Sequence, residues 1–224
     1  MKAVFLAALA VFYKDFLLEV RTRYGINTIL LFVLISVSLL TFSLAGETLQ
    51  KELLAALLWN TIFFTAMVAL QRGFVSEVER GTALFLALSA TPAAIFLGKM
   101  LYNLILAMLV NVLIAVLYVA TLNLEIVNWA IFLLALLLGS IGAATSLTLI
   151  GVIVANTTAR GGLFAVLSFP ILLPLLLLVV RATKIATMDD APFARAETEM
   201  QLLAAYSLLT FTLSLVLFDY IWEV

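Results

Sequence analysis

Residues Gln71–Pro92 read QRGFVSEVERGTALFLALSATP and interrupt a sequence that is otherwise almost continuously apolar. The stretch holds four charged residues, which are Arg72, Glu77, Glu79 and Arg80. Short charged segments between long apolar runs are typical of the loops that join membrane-spanning helices. The stretch therefore predicts a membrane protein with a polar segment between two of its spans.

A short amphipathic helix over Val75–Arg80 is predicted inside this stretch, because Gly73 and Gly81 lie just outside its two ends. Ser76 and the glutamate three residues later have the spacing of a capping box, which would start the helix. Thr82 is expected to cap the helix that follows.

The two faces of this short helix are expected to differ in what they contact. We expect Phe74, Val75 and Val78 to face the membrane, and Glu77 and Arg80 to pair with each other toward water. A solvated loop with no partner would have the same composition. Only the order of the residues can therefore distinguish such a loop from a helix that contacts a partner.

The composition indicates one integral membrane domain over residues 1–224. Hydrophobic residues make up 66% of the chain and charged residues 11%, against about 45–50% and 25% in globular domains. The net charge is −1, which does not indicate a nucleic-acid surface. The chain has no cysteine and no histidine, so thiolate metal sites and imidazole bases are excluded and a membrane enzyme is disfavoured.

Residues 1–25 are predicted to form an amphipathic helix in the membrane interface. Its basic residues Lys14, Arg21 and Arg23 are expected to contact lipid headgroups, and Gly25 is expected to end it. Its apolar face recurs at helical spacing and comprises Phe5, Leu9, Phe12, Phe16 and Val20.

Six membrane spans are predicted after this helix. The fourth has small residues four apart, such as Gly139 and Ala143, which favour close helix packing. In the fifth, Pro170 and Pro174 share a face and predict a bend. The spans are expected at about Asn27–Leu44, Leu53–Leu70, from Pro92 onward, Val127–Ala155, Leu163–Val180 and Met200–Ile221.

Six spans place both termini on the same side of the membrane. That side then holds eight of the twelve basic residues and the opposite side holds four, so both termini are expected in the cytoplasm. Residues 72–91 become a cytoplasmic segment, and the polar residues 181–199 become a periplasmic one.

Residues 71–92 resemble the coupling region of ABC-2-type permeases. The matching positions are Phe74, Glu77, Glu79, Gly81, Thr82 and Thr91-Pro92, whereas Ala83-Leu84 departs from the pattern. The resemblance implies an ABC-2-type permease fold and two copies of the chain. It also implies contact of Phe74, Glu77, Glu79, Arg80, Gly81 and Thr82 with a separate ATP-binding cassette subunit. The chain has no phosphate-binding loop of its own, because Gly98-Lys99 lacks the rest of that motif.

Two further motifs resemble the heme exporter protein B family of the bacterial cytochrome c maturation system. They are Tyr13-Lys14-Asp15-Phe16 with Glu19, Arg21 and Arg23, and Phe169–Leu176 followed by Arg181. The family implies an inner-membrane complex with haem-handling membrane subunits and a periplasmic haem chaperone. In it, ATP is bound by the partner subunit and haem is handled by the complex, with no cofactor bound by this chain.

Two mechanisms remain open within that resemblance. The chain is either a conduit for haem or a relay whose motion releases a haem-loaded chaperone from a neighbouring subunit. The absence of histidine favours the relay, because histidine is a common axial ligand of haem. An ABC-2-type exporter of a lipid, drug or glycan is the alternative function.

Overall fold

The computed structural model describes residues 2–45, 50–157, 160–189 and 193–222, with the backbone alone at residues 160–161. Six segments of the described chain are helices long and apolar enough to cross a membrane, which confirms the predicted number of spans. The helices are α1 (Lys2–Thr22), α2 (Tyr24–Ser43), α3 (Lys51–Leu70), α4 (Arg72–Glu79), α5 (Ala83–Ser89), α6 (Pro92–Thr121), α7 (Trp129–Ala155), α8 (Arg160–Ala186) and α9 (Phe193–Ile221).

The last two spans are longer than hydropathy predicts. Helix α8 continues past Val180 to Ala186, and α9 begins at Phe193 rather than Met200. Charged residues such as Lys184 and Glu197 lie within these extensions, because long charged side chains at a helix end can reach water while the backbone stays helical. Much of the polar segment 181–199 therefore forms the end of α8 and the start of α9.

Helix α7 lies at the centre of the bundle and packs against α3, α6, α8 and α9. A Cβ atom on Gly139 would lie 2.6 Å from Cη2 of Trp59, and one on Gly142 would lie 3.0 Å from a methyl carbon of Leu175. Without side chains at these positions, the neighbouring helices approach closely. The close packing predicted for the fourth span is confirmed.

Buried polar pairs fix the register between helices. Asn103 donates to Thr148 at 2.8 Å and Asn111 donates to Ser140 at 2.9 Å, both between α6 and α7. Buried polar groups without partners are costly in lipid, so a shift of one helix along the other would break both pairs.

The two ends of the bundle contain different parts of the chain. At one end an apolar cluster joins Val11 of α1, Phe74 of α4, and Phe218 and Trp222 at the end of the described chain. At the other end Lys184 contacts Glu52 at 2.9 Å, tying α8 to the start of α3. The first helix, the segment α4–α5 and the end of α9 therefore share one end, called here the coupling end.

The first helix ends earlier than predicted, and the expectation for Gly25 is wrong. Arg23 has a left-handed backbone with φ of 56°, and Gly25 lies inside α2. The carboxylate of Glu19 accepts a hydrogen bond from the backbone N–H of Ile26 at 2.7 Å. This bond satisfies a free donor at the start of α2, so the chain can turn without a glycine at the break.

Candidate functional site

Helix α4 begins at Arg72, and the capping box predicted at Ser76 is wrong. The Ser76 hydroxyl donates to the carbonyl of Gly73 at 3.3 Å, inside the helix. Gln71 alone separates α3 from α4, and its backbone is itself α-helical. The chain therefore enters α4 already coiled, and Ser76 has no new helix start to cap.

Phe74 faces the protein interior, so its predicted membrane-facing position is wrong. It is buried, and its ring centroid lies 5.6 Å from that of Phe218 and 5.4 Å from that of Trp222. A Cβ on Gly151 of α7 would be 3.7 Å from the Phe74 ring. Phe74 therefore anchors α4 to α7 and α9.

Glu77 is also buried, although it was expected to face water beside Arg80. One carboxylate oxygen accepts from Lys99 at 3.0 Å and from Lys14, and the other accepts from the Thr82 hydroxyl at 2.5 Å. Thr82 therefore binds Glu77 and makes no side-chain cap on α5, which corrects its expected role. These contacts decide the orientation of α4, because an unpaired buried carboxylate is very costly.

Lys99 is 2% exposed, although a lysine near the start of a span can extend to the lipid headgroups. Its ammonium donates three hydrogen bonds of 3.0 Å, to Asp15, to Glu77 and to the carbonyl of Gly73. Lys14 contacts Asp15 at 3.3 Å as well as Glu77. Two cations and two carboxylates thus form one balanced group, which we call the charge cluster: Lys14, Asp15, Glu77 and Lys99.

The basic residues of α1 have different surroundings. Lys14 is partly covered within the charge cluster, with 37% of its side chain exposed, rather than directed only toward headgroups as expected. Arg21 and Arg23 are exposed at the end of α1, where contact with lipid headgroups stays a prediction.

The residues after Val78 are exposed at the coupling end. Glu79, Arg80, Gly81 and Thr82 are all exposed, and we call Glu79, Arg80 and Gly81 the outer turn. Gly81 has φ of 68°, a conformation that glycine adopts without strain. The turn leads into α5, whose Phe85 is 75% exposed.

A cavity of about 1140 Å³ lies between α1, α2, α4, α5 and α6. Its lining includes three members of the charge cluster (Lys14, Asp15 and Glu77), Glu79, and apolar side chains such as Leu106. Arg72 also borders the cavity and lies 4.9 Å from the centre of the Tyr24 ring. No group of three or more metal-binding side chains occurs among the described residues.

Pro170 and Pro174 lie inside α8, which stays helical through both. The Tyr206 hydroxyl of α9 donates to the carbonyl of Ile171, between the prolines, at 2.7 Å. Each proline removes the backbone hydrogen bond to the carbonyl four residues earlier, that of Val166 or of Pro170 itself. The Tyr206 bond is a separate contact that joins α9 to α8 beside them. A bend that is used in conformational change stays a prediction.

Residues 6–219 match the sequence model of the family described as CcmB protein. A curated relative from Bradyrhizobium diazoefficiens (strain JCM 10833 / BCRC 13528 / IAM 13628 / NBRC 14792 / USDA 110), named heme exporter protein B, is 29% identical over 187 residues. The alignment covers 82% of this chain and 84% of that protein. The similarity therefore extends over nearly all of the helices described above.

Proposed function

This chain belongs to the CcmB family, and from that premise we propose that it is a haem-exporter membrane subunit driven by a separate ATP-binding cassette subunit. Hydrolysis in that partner would drive haem export or the release of a haem-loaded chaperone. The partners we propose are this ATPase, a second copy of the chain, further haem-handling membrane subunits and a periplasmic chaperone.

The observation that supports this proposal is the contrast between the two sides of α4. Phe74 and Glu77 are buried, whereas Glu79 and Arg80 are exposed. A solvated loop would have few fixed contacts with the bundle, and a force applied to it would not reach the spans. An exposed turn backed by a buried anchor has the form that a docking contact for an ATPase requires, and its exposed charges can form charge-assisted bonds with a partner.

We further propose that the coupling end faces the cytoplasm of a bacterial inner membrane, where ATP is available. The excess of basic residues on this side supports the orientation. Because the chain contains no cysteine, single cysteines at Arg21 and Glu125 can be labelled selectively. A membrane-impermeant maleimide should reach Glu125→Cys in intact cells and Arg21→Cys only after the inner membrane is opened. The reverse pattern would invert the proposed orientation.

The docking contact is tested by replacing Glu79 and Arg80 together with alanine. Losing one partner of a desolvated charge pair costs about 2–5 kcal/mol of binding, whereas charge pairs that stay exposed to solvent contribute about 0–1 kcal/mol. The variant should therefore reach the membrane in normal amounts, carry much less ATPase subunit through purification and yield less mature cytochrome c.

A matched control makes the same change of charge at the other end of the bundle. Glu125 and Arg181 are exposed there, and alanine at both should leave ATPase association unchanged. If the Glu79→Ala, Arg80→Ala variant retains its ATPase subunit at equal protein levels, the outer turn is not the docking contact.

Between the two haem mechanisms, we propose the relay. The chain lacks histidine and cysteine, two of the side chains that serve as axial ligands of haem iron. The purified subunit without partners should therefore take up haem weakly, without the spectrum of a low-spin, six-coordinate iron. A stoichiometric low-spin spectrum from the isolated chain would favour the conduit instead.

A further inference from the structure

We propose that the charge cluster is the joint through which movement of α4 reaches α1 and α6, and that Lys99 is its positioning residue. This inference rests on the proposed function, because it concerns what happens after the outer turn is pushed. It also means that α1, which is expected to lie in the membrane interface, moves together with α4 and α6.

The three hydrogen bonds of Lys99 join three helices at one point. Lys99 belongs to α6, its bond to Asp15 reaches α1, and its bonds to Glu77 and Gly73 reach α4. The side chains of Lys99, Glu77 and Asp15 are 2%, 6% and 11% exposed. Because water is largely excluded, the electrostatic contacts are stronger and less easily exchanged than at a surface.

Close packing beside the cluster holds α1 and α6 together. Gly98 directly precedes Lys99, and a Cβ on it would lie 2.5 Å from the carbonyl oxygen of Ala8. The backbones of the two helices are therefore in close contact at the joint. A displacement of Lys99 has to carry α1 with it or break this contact.

Two different kinds of contact hold the buried face of α4. Glu77 and Gly73 attach it to α1 and α6 through Lys99, and Phe74 attaches it to Phe218 of α9 through an aromatic contact. A tilt of α4 therefore acts on two groups of helices at once. The cavity between α1, α2, α4, α5 and α6 borders the joint, so its shape depends on the position of α4.

A purely stabilising role is the competing explanation, but buried ion pairs are a poor means of stabilisation. Desolvation offsets most of their attraction, and apolar replacements are often equally stable. An ion cluster fixes the relative orientation of the helices that carry it, since its hydrogen bonds have preferred geometry. A variant that removes the directional link while keeping the charge balanced can therefore separate the two roles.

The decisive variant is Lys99→Met with Asp15→Asn. It removes one cation and one carboxylate, and it leaves Glu77 in contact with Lys14 and Thr82 so that α4 and the outer turn keep their local structure. We expect a thermal transition close to that of the wild type and normal ATPase association. Cytochrome c maturation per ATP hydrolysed should fall roughly tenfold, within the usual range of coupling between distant sites.

Three controls accompany this variant. Lys99→Arg keeps the positive charge and should retain most of the coupling. Lys99→Met alone leaves an excess of buried negative charge and should lower the thermal transition and the yield. Lys51→Met with Asp189→Asn removes an ion pair at the other end of the bundle and should leave the coupling ratio unchanged.

Wild-type coupling in the balanced double variant would overturn the proposal, because the cluster would then have only a structural role. If that variant does not fold, Asp15→Asn alone is measured, since it removes the ion pair between α1 and Lys99 of α6 and leaves the contact of Lys14 with Glu77 in place. A coupling ratio below that of the wild type would support the joint, and an unchanged ratio would refute it.

The failure of the proposed function can be recognised separately. If the wild-type chain associates with no ATPase subunit, the proposed function is wrong. The joint is then tested by measuring the distance between two spin labels. Spin labels at Leu17→Cys on α1 and Leu84→Cys on α5 use exposed positions of a chain without native cysteine. Their separation should be narrowly distributed in the wild-type background and broader with Lys99→Met and Asp15→Asn. Equal distributions would refute the joint.

Discussion

Replacing Glu77 with alanine is expected to lower the free energy of unfolding by about 3–5 kcal/mol, the usual cost of breaking a buried ion pair. Lys99 would keep Asp15 and the carbonyl of Gly73 as partners, which places the expected loss toward the lower limit. Lys14 and Thr82 would lose the carboxylate that both contact. The variant should therefore accumulate poorly.

Thermal unfolding of the purified chain in detergent measures this loss. The matched control is Glu79→Ala, since Glu79 is exposed on the same helix and exposed charges contribute about 0–1 kcal/mol. Glu77→Gln keeps the volume and an acceptor for Thr82 and should lie between the two. If Glu77→Ala and Glu79→Ala unfold at the same temperature, Glu77 does not have buried contacts with Lys99, Lys14 and Thr82.

Leucine at Gly98 is expected to separate α1 from α6. Even a Cβ there would lie 2.5 Å from the carbonyl oxygen of Ala8 and 2.7 Å from Cβ of Val11. Neither atom can move away by a side-chain rotation, so the whole helix has to shift. Overpacking of a fitted interior typically costs about 1–3 kcal/mol, and the loss of the Asp15–Lys99 contact adds to it.

Protease accessibility of the first twenty residues and thermal unfolding together report this separation. Gly73→Ala is the matched control, because a Cβ at Gly73 meets no atom within 4 Å. Alanine at this position in the first turn of α4 should stabilise the helix slightly, since glycine costs up to about 0.8–1.0 kcal/mol in a helix. A Gly98→Leu chain as resistant to protease and heat as the wild type would contradict the close contact between α1 and α6.

The number of spans and the close packing of the fourth were predictable because they depend on local signals. Runs of apolar residues specify spans through their length alone, and small residues four apart specify a close-packed face. Helix ends were less predictable. Glu19 replaces the expected glycine break at Gly25 with a side-chain bond to Ile26, and that bond joins residues on two different helices.

The orientation of α4 was not predictable from its own residues. Phe74 and Glu77 are three apart and share one face, which a local interpretation divides between lipid and water. The structure buries both, because an aromatic cluster at the end of α9 covers Phe74 and cations from α1 and α6 meet Glu77. Each of these partners is distant in sequence.

One signal could have indicated the charge cluster. Lys99 is an isolated cation at the start of a long apolar helix, and ionisable residues in such positions usually pair with a group of opposite charge. Asp15 and Glu77 are both acidic residues close to apolar segments. The sequence alone does not say which carboxylate is the partner, and the observed arrangement uses both.

The charge cluster has a consequence for the order in which the chain is made. Asp15 and Lys99 are 84 residues apart, and synthesis proceeds from the N-terminus. Until α6 enters the membrane, Asp15 and Glu77 have only the partly covered Lys14 as a cation of the cluster. The coupling end therefore closes only after the third span is in place, and a nascent chain that stops before Lys99 exposes an acidic surface that the finished protein conceals.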